Sequence, residues 1–294
     1  MRYAPRIRSA LFVPAGREDF LTRAADRGAD AVILDLEDSV SAAGKERARE
    51  AAGEWIAARG EAARPVVCVR VNALDDGVLA EDLEHVVQPA LRAVLVPKIR
   101  HEDDVRAVAE ELAYYEGRRG MPLGTVRIWP LVETVDAVQR AAAIASASPR
   151  VAYMGGGSSA GGDLARELNF EWSPDGLETL YVRSKVLVDV RAAGVPNPVS
   201  GLVTDIDDID VVRQFAAQAR RLGYEGMMVI HPSHVAIANE VFAATAEQLR
   251  EARAILDALA SAEREGVAAV VVDGRMVDTA MARSAAELLE REGR

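Results

Sequence analysis

The sequence predicts a (β/α)8 barrel followed by a C-terminal helix–strand–helix extension. Two observations indicate this fold class. Short runs of apolar, often β-branched residues alternate with stretches whose apolar residues recur every three or four positions, and eight such units follow one another. Strands that are apolar throughout imply a parallel sheet covered by helices. Eight strand–helix units in series are typical of a closed barrel.

The eight predicted strands share one character, a short apolar run that ends in polar or turn-forming residues. They span residues 8–14, 31–38, 66–72, 93–99, 127–134, 150–156, 198–206 and 227–232. Pro196 and Pro198 make the start of the seventh strand the least defined. Helical spacing is clearest in residues 18–28, 45–58, 102–115, 136–147 and 210–223.

The chain divides into a catalytic barrel domain, residues 1–245, and an extension, residues 246–294. The extension reads as a helix at 246–266, a short strand within 267–278 and a helix at 279–292. An appendage beyond a complete barrel either packs on a neighbouring subunit or covers the barrel, and the pattern leaves both arrangements open.

Composition excludes several classes of protein. With 35 basic and 46 acidic side chains the net charge is −11, which argues against nucleic acid or an anionic membrane surface as the main partner. The single cysteine, Cys68, excludes an internal disulfide, fits a reducing compartment and is expected to be a buried structural thiol. No apolar run reaches the ~18–20 residues of a membrane span. We therefore expect a soluble cytoplasmic protein without a membrane partner.

Polar residues follow nearly every predicted strand, although the strands themselves are apolar. A barrel enzyme builds its active site at this end of its strands, so convergence there indicates a functional site. The residues concerned are Glu37, Asp38, Arg70, Asn72, Lys98, Glu133, Asp163, Asp205 and His231.

Glu133 and Asp163 follow two neighbouring strands, the fifth and sixth. Two carboxylates at adjacent strand ends form a hard-oxygen site that suits Mg²⁺ with several waters retained. A simpler interpretation is that Asp163 caps the helix that begins LARELN. The preceding segment, residues 155–160, matches a dinucleotide-binding fingerprint weakly, because it follows the sixth strand and not the first. Its small residues could instead let the chain turn sharply and present Asp163.

Nine short motifs, in one order along nearly the whole chain, then carry a resemblance. They are RSALFVPAG (8–16), DAVILDLEDSV with KERAR (30–49), VRVN (69–72), VPKI (96–99), PLVET (130–134), the GDLA segment (155–165), LYVRSK (180–185), VIHP (229–232) and DGRMVD (273–278). In these motifs the chain resembles the citrate lyase beta-subunit-like family of Mg²⁺-dependent acyl-CoA lyases. The resemblance implies a (β/α)8 barrel that assembles as a homotrimer or a multiple of three.

The resemblance also implies roles for individual residues. Arg70 matches the arginine that binds the substrate's carbonyl and carboxylate and stabilises an enolate. Glu133 and Asp163 match the two Mg²⁺ ligands, with Glu133 also lining the substrate site. Glu37 and Asp38 match acidic residues that line the metal and substrate pocket.

Further expectations concern the acyl-CoA side of the site. Asp278 matches an acidic residue that handles a proton in a neighbouring subunit's active site, or else it caps the helix at 279–292. Four cations are candidates for the CoA phosphates, namely Arg8, Arg17, Lys45 and Arg47. The chain departs from the family pattern at the longer glycine-rich loop, at Met227 where a lysine is common, and at His234 where a glutamine is usual.

Together these observations predict a lyase that uses Mg²⁺, with Mn²⁺ as the alternative ion. Its substrate would be a 3-hydroxy acyl-CoA of the malyl-, citramalyl- or citryl-CoA type, cleaved to a 2-oxo acid and an acyl-CoA, or formed by the reverse condensation. Two alternatives stay open: a class II aldolase acting on free 2-oxo acid aldols, and a beta subunit that works only inside a multi-protein lyase.

Overall fold

The computed structural model describes residues 4–60, 64–156, 158–264, 269–272 and 274–293. It divides into two compact units, Met1–Phe242 and Ala243–Arg294. The first unit contains a closed barrel of eight parallel strands in sequential order, which confirms the predicted fold class. Within the described ranges, no helix combines the length and the apolar character needed to cross a membrane.

The strands and helices of the barrel alternate along the chain. The strands are β1 (Ser9–Pro14), β2 (Ala31–Asp35), β3 (Val66–Arg70), β4 (Leu91–Val96), β5 (Arg127–Val132), β6 (Tyr153–Gly156), β7 (Asn197–Ser200) and β8 (Gly226–Val229). The helices are α1 (Glu18–Ala24), α2 (Lys45–Ala57), α3 (Leu79–Val86), α4 (Glu102–Arg118), α5 (Val135–Gln139), α6 (Ala141–Ser146), α7 (Asp163–Leu168), α8 (Leu180–Ala192), α9 (Ile209–Leu222) and α10 (Pro232–Phe242).

Several predicted elements differ from the structure in extent, and two of these differences concern how an element is built. The seventh strand is shorter than predicted, because β7 ends at Ser200 and residues 201–205 have no regular secondary structure. The helix predicted at 136–147 is two short helices that meet at Arg140, whose φ of −100° and ψ of 11° lie outside the helical range. Neither difference alters the order of the barrel.

Side chains of the strands alternate between two hydrophobic cores. One core fills the barrel interior and is built from strand residues of alternating parity, among them Ala31 and Ile33 of β2 and Cys68 of β3. The other lies between the strands and the surrounding helices. Cys68 is fully buried, as expected, and burial raises the pKa of its thiol to about 12.

Two glycines are required where the barrel strands approach closely. A Cβ atom on Gly155 of β6 would lie 1.6 Å from the carbonyl oxygen of Val199 on β7. A Cβ on Gly226 of β8 would lie 2.0 Å from the carbonyl oxygen of Ile7. The first glycine of the glycine-rich segment therefore lies in β6 and serves strand packing.

The second unit contains α11 (Ala246–Arg264), β9 (Ala269–Val272), β10 (Arg275–Asp278) and α12 (Thr279–Arg291). The prediction of one short strand was wrong: β9 and β10 form an antiparallel hairpin, with Arg275 in register with Val272. Gly274 takes a φ of 77° in the turn, whereas residues 267, 268 and 273 lie outside the described residues. A small core that includes Ile255, Leu259 and Val277 holds the unit together.

Candidate active site

The inward-facing rows of the barrel end in charged residues at its carboxyl-terminal rim. In β2 the row runs through Ala31 and Ile33 to Asp35, and in β3 it reaches Arg70, which is in register with Asp35. Because registered neighbours of a parallel sheet point to the same face, both side chains extend the interior row. In β5 the same parity continues beyond the strand to Glu133. The barrel therefore gathers these groups at one end.

Arg70 and Asp35 form a two-point ion pair in which every contact is short. The Nε of Arg70 donates to Oδ1 of Asp35 at 2.6 Å, and Nη2 donates to Oδ2 at 2.7 Å. Burial by itself would raise the pKa of Asp35, but the hydrogen bonds and charge of Arg70 hold that pKa below its ordinary value. The Arg70 guanidinium also lies 5.0 Å from the centre of the Phe12 ring. Its Nε edge is thus occupied, and its Nη atoms face the remaining groups.

Lys98 links the two acidic sides of the site. Its backbone N–H donates to Oε1 of Glu133 at 2.8 Å, and its Nζ donates to Oε1 of Glu37 at 2.5 Å, with Asp38 at 3.6 Å. Lys98 follows Pro97 in a turn and has a φ of 52°. The left-handed region costs an ordinary residue roughly 1–2 kcal/mol, so the contacts must stabilise this conformation.

Glu133 is the most strongly perturbed carboxyl group of the site. Burial, together with the charges of Glu37 and Asp163, raises the pKa of Glu133 to about 7, although the Lys98 amide opposes the shift. The next residue, Thr134, caps α5 by accepting a hydrogen bond from the Ala137 amide. A cation beside Glu133 would therefore relieve an unfavourable charge.

Asp163 begins α7 and faces the same cavity. Gly162, not Asp163, occupies the N-cap position of α7, and in the described part of the chain no amide of α7 is found to donate to the Asp163 carboxylate, so the capping interpretation has no support here. Asp163 Oδ1 instead lies 2.6 Å from Nη2 of Arg166, one turn along the helix. Gly161, with a φ of 68°, gives the loop its sharp turn. Gly157 lies outside the described residues.

These groups surround a cavity of about 490 Å³. Its polar lining includes Asp38, Arg70, Lys98, Glu133, Asp163 and Arg166, and its apolar lining includes Phe12, Leu131, Leu202 and Met228. The cavity thus combines a charged side with an apolar side, as expected of a small-molecule site.

The charges of the site fit a divalent cation. Five carboxylates, including Glu133 and Asp163, are grouped with three cationic side chains, which leaves two negative charges if all are ionised. In the described ranges, no group of three or more His, Cys, Asp or Glu side chains could hold a metal by itself. A cation held by Glu133 and Asp163 would therefore keep positions for water or substrate oxygens, as Mg²⁺ commonly does.

Two of the four cations predicted for CoA are engaged elsewhere. Arg8 lies at the amino-terminal end of β1, opposite the rim, and pairs with Asp30 at 2.7 and 2.8 Å. The Lys45 ammonium donates to the carbonyl oxygens of Leu36 and Glu37 and to Oδ1 of Asn72, at 2.6–2.8 Å. All three of its donors are used within the protein, and the role of Arg8 and Lys45 in CoA binding stays a prediction.

The other two predicted cations are exposed on the carboxyl-terminal side of their strands. Arg17 follows β1 and pairs with Asp19 at 3.0 Å, and Arg47 lies on the outer face of α2. Both are accessible to a ligand, and their role in CoA binding stays a prediction.

Asp278, Met227 and His234 were also singled out from the sequence. Asp278 caps α12 by accepting a hydrogen bond from the Met281 amide at 3.0 Å, and it is exposed. Met227 belongs to the outer core between strands and helices, so it does not face the cavity. His234 is fully buried in α10. The neighbouring strand residue, Met228, is the one that lines the cavity.

Sequence reasoning missed Asp35 and Arg166 and gave Lys98 no role. The period-2 parity of β2, which places Asp35 in the row of Ala31 and Ile33, could have identified Asp35. Arg166 lies one helical turn after Asp163, a spacing that predicts their pairing. The conformation of Lys98 had no sequence signal, because lysine is uncommon at positive φ.

Comparison with known proteins places the chain in a family. The model of the HpcH/HpaI aldolase/citrate lyase family matches residues 8–232. The chain is 38% identical over 292 residues to a citrate lyase subunit beta-like protein of Deinococcus radiodurans, covering 97% of each chain. It is 32% identical over 271 residues to a (3S)-malyl-CoA thioesterase of Cereibacter sphaeroides, covering 92% of this chain and 89% of the relative.

Solved structures agree with this assignment. The structure of CitE from Mycobacterium tuberculosis in complex with magnesium, acetoacetate and coenzyme A superimposes with a TM-score of 0.74 at 29% identity, covering both chains fully. The chain therefore belongs to the HpcH/HpaI aldolase/citrate lyase family, whose named relatives are enzymes.

Proposed function

We propose that the protein is a Mg²⁺-dependent carbon–carbon lyase that cleaves a 3-hydroxy acyl-CoA to a 2-oxo acid and an acyl-CoA, or catalyses the reverse condensation. The observation that carries the proposal is the cavity in which Glu133 and Asp163 lie together with the Nη edge of Arg70. The magnesium, acetoacetate and coenzyme A bound in the CitE relative support the same ligand classes.

Glu133 and Asp163 would hold the metal ion, with Mn²⁺ as a substitute. A bound divalent cation polarises the oxygens that it contacts and lowers the pKa of a bound hydroxyl group. Glu37 and Asp38 would line the substrate pocket from the β2 side. The apolar wall of Phe12 and the side chains near it would contact the carbon skeleton of the acyl group.

In the proposed cleavage the hydroxyl group gives its proton to the proposed carrier, Asp278 of another subunit, and the bond between the hydroxyl-bearing carbon and its neighbour breaks. The hydroxyl carbon becomes the carbonyl of the 2-oxo acid, and the electron pair passes to the thioester as an enolate. Arg70 would stabilise this enolate, because its Nη donors are fixed in advance by Asp35 and need little reorganisation. Protonation of the enolate on carbon gives the acyl-CoA.

Asp278 is the proposed proton carrier, acting in the site of another subunit of a homo-oligomer, in multiples of three. Arg17 and Arg47 are the proposed contacts of the CoA phosphates. Support for these roles comes from the family resemblance of the DGRMVD motif and from the exposure of the side chains.

A screen of malyl-, citramalyl- and citryl-CoA with Mg²⁺ tests the proposal. Release of the 2-oxo acid is measured beside release of free thiol, so that cleavage and thioester hydrolysis are told apart. Free 2-oxo acid aldols are included to detect an aldolase, and acyl-carrier partners are added to detect dependence on a complex. We expect 2-oxo acid release by the purified protein, removed by chelator and by Glu133→Gln. Thiol release without 2-oxo acid would contradict the lyase assignment.

A further inference from the structure

We propose that Lys98 is a positioning residue that keeps Glu37 from closing the Nη edge of Arg70. The inference rests on the proposed function in one respect, because that edge is where the oxyanion of the substrate would bind. The competition among the three side chains is a property of the chain itself and can be tested without any substrate.

Arg70 has one edge left for a ligand. Asp35 occupies Nε and Nη2 with hydrogen bonds of 2.6 and 2.7 Å. The remaining directions belong to the second hydrogen of Nη2 and to Nη1, whose hydrogen bond to Oδ2 of the exposed Asp38 is long at 3.5 Å, and Arg70 lines the cavity. Any carboxylate that paired with these atoms would exclude a substrate oxyanion.

Glu37 is the carboxylate best placed to do so. Its Oε2 lies 2.8 Å from Nη1 of Arg70, and its side chain is 3% exposed. Yet Oε2 has no hydrogen bond within the described part of the chain, so the contact is close but poorly directed. The Glu37 side chain instead accepts a hydrogen bond at Oε1 from Nζ of Lys98, at 2.5 Å. Lys98 therefore prevails over Arg70 as the hydrogen-bond donor to Glu37.

The backbone of Lys98 makes this arrangement specific. Among the described residues, the non-glycine residues with positive φ are Lys98 and Asn169. At Lys98 this conformation directs the amide to Glu133 while the ammonium reaches Glu37. Strained backbone that is held by two functional contacts is typical of active sites. A glycine in this turn would keep the amide contact without strain but would lose the ammonium.

Removing the ammonium should let Glu37 close on Arg70. In a crystal structure of Lys98→Met we expect both Glu37 oxygens at hydrogen-bond distance, about 2.9 Å, from Nη atoms of Arg70. Lys98→Gly, which needs no strained backbone, gives the same test if the methionine variant folds poorly. The proposal would be overturned if, in both variants, Oε2 of Glu37 still accepted no hydrogen bond from Arg70.

Ligand binding gives a second readout. With Mg²⁺ present, calorimetry of pyruvate, glyoxylate and oxaloacetate should show affinity lowered about tenfold in Lys98→Met and Lys98→Gly. Adding Glu37→Gln to Lys98→Met should recover part of this loss, because a neutral amide competes weakly for Arg70. Mn²⁺ affinity should change less than about threefold, because the amide contact to Glu133 does not need the side chain. The matched control, Asn169→Gly, relieves the same backbone conformation away from the cavity and should not weaken binding.

The outcomes separate the two proposals. A double variant no better than Lys98→Met, or single variants that bind the 2-oxo acids as the wild type does, would contradict the role of Lys98. If the wild type binds none of the three acids, the proposed function fails, and the crystal structures still decide how Lys98 acts.

Discussion

The two sides of the cavity differ in how their charges are satisfied. On the β2–β3 side, Asp35 and Arg70 meet through two hydrogen bonds, and the pKa of Asp35 is lowered. On the β5–β6 side, Glu133 is buried among other carboxylates and its pKa is raised to about 7. The charges of the β2–β3 side are paired within the protein, whereas the β5–β6 side has an excess of negative charge. The same cavity is therefore preorganised for an oxyanion on one side and for a cation on the other.

The largest expected effect comes from removing a carboxylate from the β5–β6 side. Glu133→Gln should abolish Mg²⁺-stimulated 2-oxo acid release, because one of two carboxylates for the cation is lost. The fold should be kept or stabilised, since a buried carboxylate with a raised pKa becomes a neutral amide. Activity assays and thermal unfolding check both points, and Asp163→Asn should behave alike in the assay. Near-normal activity of both variants in the presence of chelator would show that the metal assignment is wrong.

Arg70→Lys disrupts the paired hydrogen bonds to Asp35 on the β2–β3 side while keeping the positive charge. Lysine cannot replace the planar guanidinium that pairs with Asp35 and still presents donors to the cavity. We expect kcat/KM to fall by about 10²-fold, or about 3 kcal/mol of transition-state stabilisation. Steady-state kinetics with the substrate found in the screen provide the measurement. A loss below about threefold would reduce Arg70 to a structural part of the barrel.

Asp278 belongs to the second unit, and its proposed role depends on assembly. Asp278→Asn and Arg70→Ala should each be inactive, and mixed oligomers should recover part of the activity if the two residues serve one site across subunits. Subunit exchange is verified with distinguishable tags before the assay. If activity does not recover although the subunits exchange, the role of Asp278 is to cap α12 by accepting the hydrogen bond of the Met281 amide.

Lys45→Met should have a smaller effect, and it tests how the β2–β3 side of the cavity is stabilised. The Lys45 ammonium ties the carbonyl oxygens of Leu36 and Glu37 to Asn72, so its loss should lower the free energy of unfolding by about 1–3 kcal/mol. The matched control is Arg47→Met, an exposed position on the same helix, with an expected change within about 0.5 kcal/mol. Urea unfolding compares the two variants. Equal stabilities would contradict the anchoring role of Lys45.

The sequence predicted the barrel well because its signal, a short strand followed by a helical pattern, is repeated eight times. Strand ends also located Arg70, Glu133 and Asp163, which line one cavity. Asp35 was missed because the predicted strand, residues 31–38, extended three residues beyond it, whereas β2 ends at Asp35 and its parity places it at the rim of the interior. The hairpin of the second unit was missed although the Asp-Gly pair at 273–274 is a known turn signal between β-branched residues.

The partners of the cations could not be read from the sequence. Arg8 and Lys45 belong to family-like motifs, but their contacts depend on Asp30 and Asn72, which are distant in the chain. Whether a rim cation is used internally or left for a ligand is decided by such tertiary contacts. The same holds for Lys98, whose two acceptors come from loops after two other strands.

The contrast between the two sides is tested most directly by measuring Mn²⁺ binding with electron paramagnetic resonance, without substrate. The wild type should bind one ion per chain, and Glu133→Gln should weaken binding by at least about 30-fold. The control, Asp205→Asn, changes a rim carboxylate that accepts hydrogen bonds from the amides of Asp207 and Asp208, and its affinity should stay within about threefold of the wild type. Equal weakening by both variants, or undiminished binding in Glu133→Gln, would contradict a cation site at Glu133 and Asp163.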